Sequence, residues 1–202
     1  MELLMLRHGQ TQGNLEKRYI GKTDEALCQE GIACAQAAFC DKTVQHVYVS
    51  PLLRARQTAE ICFPAAMQTV VENLREMDFG DFEGKTYLDM AEDQRYQQWV
   101  DGMCEDRCPN GESKAEATRR VAVAVQAILA DAQAAGENRV IIVAHGGTIM
   151  AAFDAFGPQE RSYFDWQVGN CCGYIATVEF TKEGQLRLLN PRLLKEDRVT
   201  HD

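Results

Sequence analysis

Two stretches of this chain end in the same way. Leu4-Met5-Leu6-Arg7-His8-Gly9-Gln10-Thr11 and Ile141-Ile142-Val143-Ala144-His145-Gly146-Gly147-Thr148 each run from apolar residues into His-Gly, with Thr three positions after His. Imidazole attacks phosphorus when it is neutral and one ring nitrogen is held by a hydrogen bond, so that the other nitrogen points at substrate. A second imidazole need not attack: as a donor it stabilises charge developing on the transferring group. Arg7 stands beside His8, and Arg54 and Arg56 follow Ser50-Pro51. Guanidinium groups bind oxyanions bidentately and keep their charge at neutral pH. Gly9 and Gly146 are expected to let backbone approach a ligand closely. Thr11 or Thr148 is expected to cap a following helix whose free N–H groups attract anions. A departing alkoxide also needs a proton, and four acids, Glu76, Asp78, Asp81 and Glu83, lie between Leu74 and Gly84. Spacing does not choose among them.

These residues need a scaffold that brings distant histidines together. Leu3 to Leu6 and Val140 to Ala144 read as buried strands, and in open α/β sheets ligands bind beyond the carboxyl ends of strands. Between them, Ser113 and Glu116 have capping-box spacing, Val121, Val125, Ile128, Leu129 and Ala132 recur at helical intervals, and Gly136 closes the helix. Val44 to Ser50 predicts a strand, Pro51 to Cys62 a helix opened by proline, and Gln29 to Phe39 an Ala-rich helix. Gly173 to Phe180 and Gln185 to Leu189 are β-like runs joined by a turn, a terminal hairpin or added strand pair. The expected fold class is therefore α/β, a three-layer sandwich with a mainly parallel, mixed central sheet, forming a single domain over residues 1–202. The acidic segment from Phe79 to Asp106 is expected to form short helices over the sheet edge, as a lid bounded at 79–108.

Composition narrows the function. The 202 residues are 46% apolar and 25% charged, enough for one core of ordinary composition. Thirty acidic against 21 basic residues give a net charge of −9, and no basic stripe tracks a polyanion, so nucleic acid is not an expected partner. No apolar run approaches the roughly 18 residues of a membrane span, and Met1 leads into Glu2 without a signal-peptide pattern; no membrane partner and a cytoplasmic location are expected. Eight cysteines without such a signal read as reduced thiols. Neither Cys104 with Cys108 nor Cys171 with Cys172 has the C-x-x-C spacing of a metal or redox site, and no metal site is expected. The sequence does not set the oligomeric state.

Taken together, these motifs resemble the histidine phosphatase superfamily, also called phosphoglycerate mutase-like. Arg7-His8-Gly9-Gln10-Thr11-Gln12-Gly13-Asn14 matches its R-H-G-x-T-x-x-N signature, and Ser50 to Ala59 resembles its second arginine motif. Leu74-Arg75-Glu76 with Phe79-Gly80 resembles its acid motif, and Ala144-His145-Gly146-Gly147 its second histidine. The resemblance implies that His8 is the nucleophile, that Arg7, Asn14, Arg54, His145 and Gly146 hold the phosphoryl group, and that Glu76 is the proton donor. It implies a small-molecule phosphomonoester as partner and no metal or organic cofactor; Arg56 is read as structural. One departure is Cys28, where the family often has a Thr hydroxyl at the start of its first helix, at an expected cost of about 0.5–2 kcal/mol.

The segment around Asp78 to Arg95 is compact and acidic, whereas mutases of the family carry a longer, more basic one, so phosphate hydrolysis is expected. Gly80 to Lys85, Pro109 to Ser113 and Val168 to Gly173 are similar to alpha-ribazole phosphatases, which implies an alpha-ribazole 5′-phosphate substrate in cobalamin assembly. Tyr87, Tyr96, Trp99 or Trp166 would then stack on its base. The alternatives are a broad-specificity phosphatase, a cofactor-dependent phosphoglycerate mutase, metal-dependent hydrolysis with His8 and His145 as ligands, or a phospho-ligand binder without turnover.

Overall fold

The computed structural model describes residues 1–38 and 40–194. Among these the strands are β1 Glu2–Arg7, β2 His46–Val49, β3 Met67–Val70, β4 Arg139–Ala144, β5 Gly173–Phe180 and β6 Leu186–Leu194. The helices are α1 Gln12–Leu15, α2 Gln29–Ala38, α3 Leu53–Cys62, α4 Gln94–Asp101, α5 Lys114–Ala134 and α6 Gly146–Phe156. The expected helix end at Phe39 and the last residues of the expected 1–202 domain, 195–202, lie outside the described residues.

The strands form one sheet in the order β3-β2-β4-β1-β5-β6. The first four are parallel and the last two antiparallel, the mixed sheet expected from the alternation of strands and helices. Strand β4 returns between β2 and β1, so Arg7 pairs with Ala144 and Val49 with Val143. Three carboxyl ends therefore lie side by side, and the residues that follow them are His8, Ser50 and His145.

Alternation along the strands divides the core. Leu3, Met5, Ile142 and Ala144 face α5 and α6, in the same cluster as Val121, Val125, Ile128, Leu129 and Ala132. Leu4, Leu6, Ile141 and Val143 face the other way, toward Ala35 of α2 and Ala55, Ala59 and Cys62 of α3. Burying both faces is what makes β1 and β4 uninterrupted apolar runs. The Ser113 capping box on α5 is present, and Gly136 follows that helix at φ +73°.

Several elements differ from expectation. Helix α3 starts at Leu53, not Pro51, because the Leu52 N–H turns back to the Ser50 hydroxyl. Strand β6 continues to Leu194 past Pro191, which an edge strand tolerates because one side of its backbone needs no partner. Strand β3 was not foreseen: Met-Gln-Thr-Val is exposed or half-buried throughout and has no apolar face. Thr148 does not cap a helix; His145 is the N-cap of α6, and Thr148 lies inside it, donating to the Leu74 carbonyl at 3.2 Å. The Cys28 thiol occupies the cap position before α2 and accepts the Gly31 N–H at 3.4 Å, so the expected capping cost is partly offset. Segment 79–108 contains α4 and a 3₁₀ turn at Gly80–Phe82. It packs a third apolar cluster, with Phe82, Met90, Tyr96 and Trp99, onto Ala117 and Tyr19; this cluster contains no strand residue, so the segment covers the start of α5 and not a sheet edge.

Candidate active site

His8 and His145, one after β1 and one after β4, have ring centroids 5.0 Å apart and planes at 62°. Both are almost wholly buried. His8 Nδ1 lies 2.6 Å from the Gly9 carbonyl, which can only accept, so that nitrogen carries the proton. Nε2 of a neutral ring is then a lone pair. Burial first, then the Arg54 and Arg7 charges, hold His8 well below the ordinary histidine value; the same causes, with His8 itself, act on His145. Both rings are neutral at physiological pH.

Arg54, fully buried at the start of α3, is tied by its terminal nitrogens to the carbonyls of Ile20, Gly21 and Thr23. Arg7 donates to the Val168 carbonyl at 2.7 Å. Arg7 Nε, Arg54 Nε and His145 Nδ1 are buried with no hydrogen-bond partner among the described residues. The Arg54 and Arg7 charges act on both rings, so these unpartnered donors lie in one electropositive, imidazole-lined region suited to an oxyanion. Asn14 lines a cleft with Arg7, Glu76 and Gly146, whose lining does not include His8, Arg54 or His145; its amide oxygen is engaged by the Thr11 N–H and by Asn170 Nδ2, which leaves its NH₂ group as a donor.

Of the four candidate acids only Glu76 lines the cleft. Its carboxylate accepts the Met77 N–H at 2.9 Å and the Gly147 N–H at 3.0 Å. A Cβ at Gly147 would push that carboxylate out of its present position. Asp78 pairs with Lys22, Asp81 with Arg95, and Glu83 accepts from Gly21 and Thr23 N–H groups. Gly9 also serves packing: a Cβ would stand 2.7 Å from the Gly31 carbonyl, so the close approach is to α2 and not to a ligand. Gly146 lines the cleft; Arg56 is exposed on α3 and outside the lining.

The cleft holds about 560 Å³. Beyond the polar floor its wall includes Tyr19, Phe79, Trp99, Tyr163 and Phe164. Trp99 is the one expected stacking residue found here. Tyr96 is buried with its hydroxyl on Tyr19, Trp166 is fully buried against Phe153, and Tyr87 is exposed outside the lining. Among the described residues no group of three or more His, Cys, Asp or Glu side chains could hold a metal ion. No described helix is long and apolar enough to cross a membrane.

Sequence reasoning missed the supports. Arg120 on α5 uses every guanidinium nitrogen: Nε and Nη2 on Glu112, Nη1 on the carbonyls of Asn73 and Arg75, and Nη2 also on that of Glu76. An arginine beside an apolar stripe gives no signal of this. Asn170 bridges the His8 carbonyl and Asn14.

The profile of the family described as Histidine phosphatase superfamily (branch 1) matches residues 3–191. A Hydrogenobacter thermophilus protein provisionally named phosphoserine phosphatase 2 is 34% identical over 156 residues, 74% of this chain and 75% of that relative. Among solved structures, the alpha-ribazole phosphatase from Shigella flexneri superposes with a TM-score of 0.75 at 27% identity, covering 94% of this chain and 96% of its own. The phosphoglycerate mutase from Thermus thermophilus gives 0.69 at 27%, covering 96% and 100%.

Proposed function

The chain belongs to the histidine phosphatase superfamily, branch 1, and on that footing we propose that it hydrolyses a small-molecule phosphomonoester through a phosphohistidine on His8. The observation that carries this reading is the pair of buried imidazoles with ring centroids 5.0 Å apart, both under the charges of Arg54 and Arg7, with Glu76 in a cleft that Arg7 also lines. His8 Nε2 attacks phosphorus as the ester P–O bond breaks. Arg7, Arg54, Asn14, His145 and the Gly146 N–H at the start of α6 hold the non-bridging oxygens. Glu76 gives its proton to the leaving oxygen. Water then attacks the phosphohistidine, Glu76 takes the proton, and inorganic phosphate departs. These steps need no metal or organic cofactor.

For the substrate we propose alpha-ribazole 5′-phosphate, in cobalamin assembly. The likeness to the Shigella flexneri enzyme and the aromatic wall beyond the phosphate site support it. Residues 1–202 act as one catalytic unit, with 79–108 as its lid, and the eight cysteines, all within the described residues and none in a disulfide there, favour the reducing cytoplasm. The test is hydrolysis of para-nitrophenyl phosphate with the phosphoenzyme trapped in alkali and mapped. We expect label on His8 and a loss of about 10³-fold or more in His8→Ala. Unlabelled His8 during turnover, or activity abolished by chelator and restored by zinc, would overturn the mechanism. Comparing kcat/KM on alpha-ribazole 5′-phosphate, 3-phosphoglycerate and phosphoserine tests the substrate: preference for the first by about tenfold or more supports it, and equal values reduce the enzyme to a generalist.

A further inference from the structure

Ser50 lies at the end of β2, fully buried, in none of the roles assigned above. Its Oγ is 2.6 Å from His145 Nε2, and the same oxygen accepts the Leu52 N–H at 3.3 Å. Two assignments are possible, and they differ in whether the Ser50 hydrogen finds an acceptor. If His145 Nε2 carried the ring proton, Oγ would accept two hydrogen bonds and its own hydrogen would meet no acceptor among the described residues. His145 Nδ1, buried without a partner, would then turn a lone pair toward an anion. If Ser50 instead donates to Nε2, its oxygen still accepts from Leu52, and Nδ1 carries the ring proton as a donor that no described residue engages.

We propose that Ser50 is a positioning residue that fixes His145 in the Nδ1–H tautomer, so that the second histidine meets the phosphoryl group as a neutral hydrogen-bond donor. The inference rests on the phosphohydrolase reading for its purpose but not for its geometry. A neutral imidazole has one N–H, and burial together with Arg54, His8 and Arg7 keeps this ring neutral. Its usefulness therefore depends on which nitrogen holds that proton. The two histidines are set by opposite devices. His8 donates a hydrogen bond from Nδ1 to a carbonyl and keeps Nε2 as nucleophile, whereas His145 accepts a hydrogen bond at Nε2 and keeps Nδ1–H as donor. A Pro at position 51 serves the arrangement, since it leaves the Leu52 N–H as the first amide that can turn back onto Oγ.

The experiment is ¹⁵N–¹H correlation of the imidazole rings in the whole protein without substrate, each ring assigned with a single His→Gln variant. The wild type should show His145 protonated at Nδ1, Ser50→Ala should show loss of that pattern, and Ser50→Thr should restore it. This readout does not depend on turnover, so it stands apart from any failure of the proposed reaction. On para-nitrophenyl phosphate, Ser50→Ala should lose about 10- to 10²-fold in kcat with KM changed less than about threefold. Wild-type His145 protonated at Nε2, or an unchanged Nδ1–H pattern in Ser50→Ala, would overturn the proposal. Thermal melting of each variant separates a folding defect from a tautomer effect, and Ser50→Thr carries the test should Ser50→Ala not fold.

Discussion

At the scale of single residues, the site keeps two imidazoles neutral by placing them, buried, next to two permanent cations. The acid limb of kcat/KM is therefore expected below pH 6.5, the ordinary histidine value, and in an NMR titration Arg7→Gln should bring His8 back toward it. The sign for stability follows: the unfolded chain protonates these rings first as pH falls, so their contribution is present above about pH 6.5 and declines below it. An acid limb at or above that value, or a His8 titration unmoved by Arg7→Gln, would count against the neutral pair. Glu76→Gln should lose about tenfold more rate on an alkyl phosphate than on para-nitrophenyl phosphate, because a good leaving group needs less protonation. Equal losses would place the proton donor elsewhere. Arg7, His8, Arg54 and His145 could be proposed from sequence because residue type and motif carry their chemistry, and Glu76 was set apart from three other acids only by the family resemblance. Ser50, Asn170 and Arg120 could not be assigned their parts, since each acts through a hydrogen bond to a residue remote in the chain.

At the scale of elements, the acid loop depends on α5. Arg120 holds Glu112 and the carbonyls of Asn73, Arg75 and Glu76 at once, while Glu112 also accepts the Asp78 N–H. Burial alone would raise the Glu112 carboxyl, but Arg120 and the Asp78 N–H bring it below the usual carboxylate range. That stabilisation is present above the unfolded carboxylate value, near 4.3, and is lost as pH falls through the lower folded value. Arg120→Met should lower kcat by about 10- to 10²-fold through a misplaced Glu76 and should lower Tm. Loss of Tm with unchanged kcat would make the clamp purely structural. The strands β1 and β4 and helix α5 were legible because burial on both faces, or on one helical stripe, leaves a periodic trace. Strand β3 left none: its place is set by pairing with β2 at the edge and not by its own apolar pattern.

At the scale of the whole molecule, the proposed function assigns phosphate chemistry and recognition of the rest of the substrate to different parts. The sheet order, with β4 inserted between β2 and β1, builds the polar floor from strand ends. The wall includes Tyr19, Phe79, Trp99 and Cys104 together with Tyr163 and Phe164 of the 163–166 turn. The fold class was legible from the alternation of elements, but the composition of this wall was not, because exposed and buried aromatics look alike in sequence: Trp166 sits in the core, Tyr87 in solvent and Phe164 on the cleft. Phe164 separates the two parts experimentally. It lines the cleft yet is 38% exposed, so Phe164→Ala should leave Tm nearly unchanged. Aromatic stacking on a base is worth about 1–3 kcal/mol, which predicts a rise in KM of about tenfold on alpha-ribazole 5′-phosphate. A small alkyl phosphate, which uses only the polar floor, should show no change in KM or kcat. Equal effects on both substrates would mean that Phe164 shapes the phosphate site itself and that floor and wall are not separable.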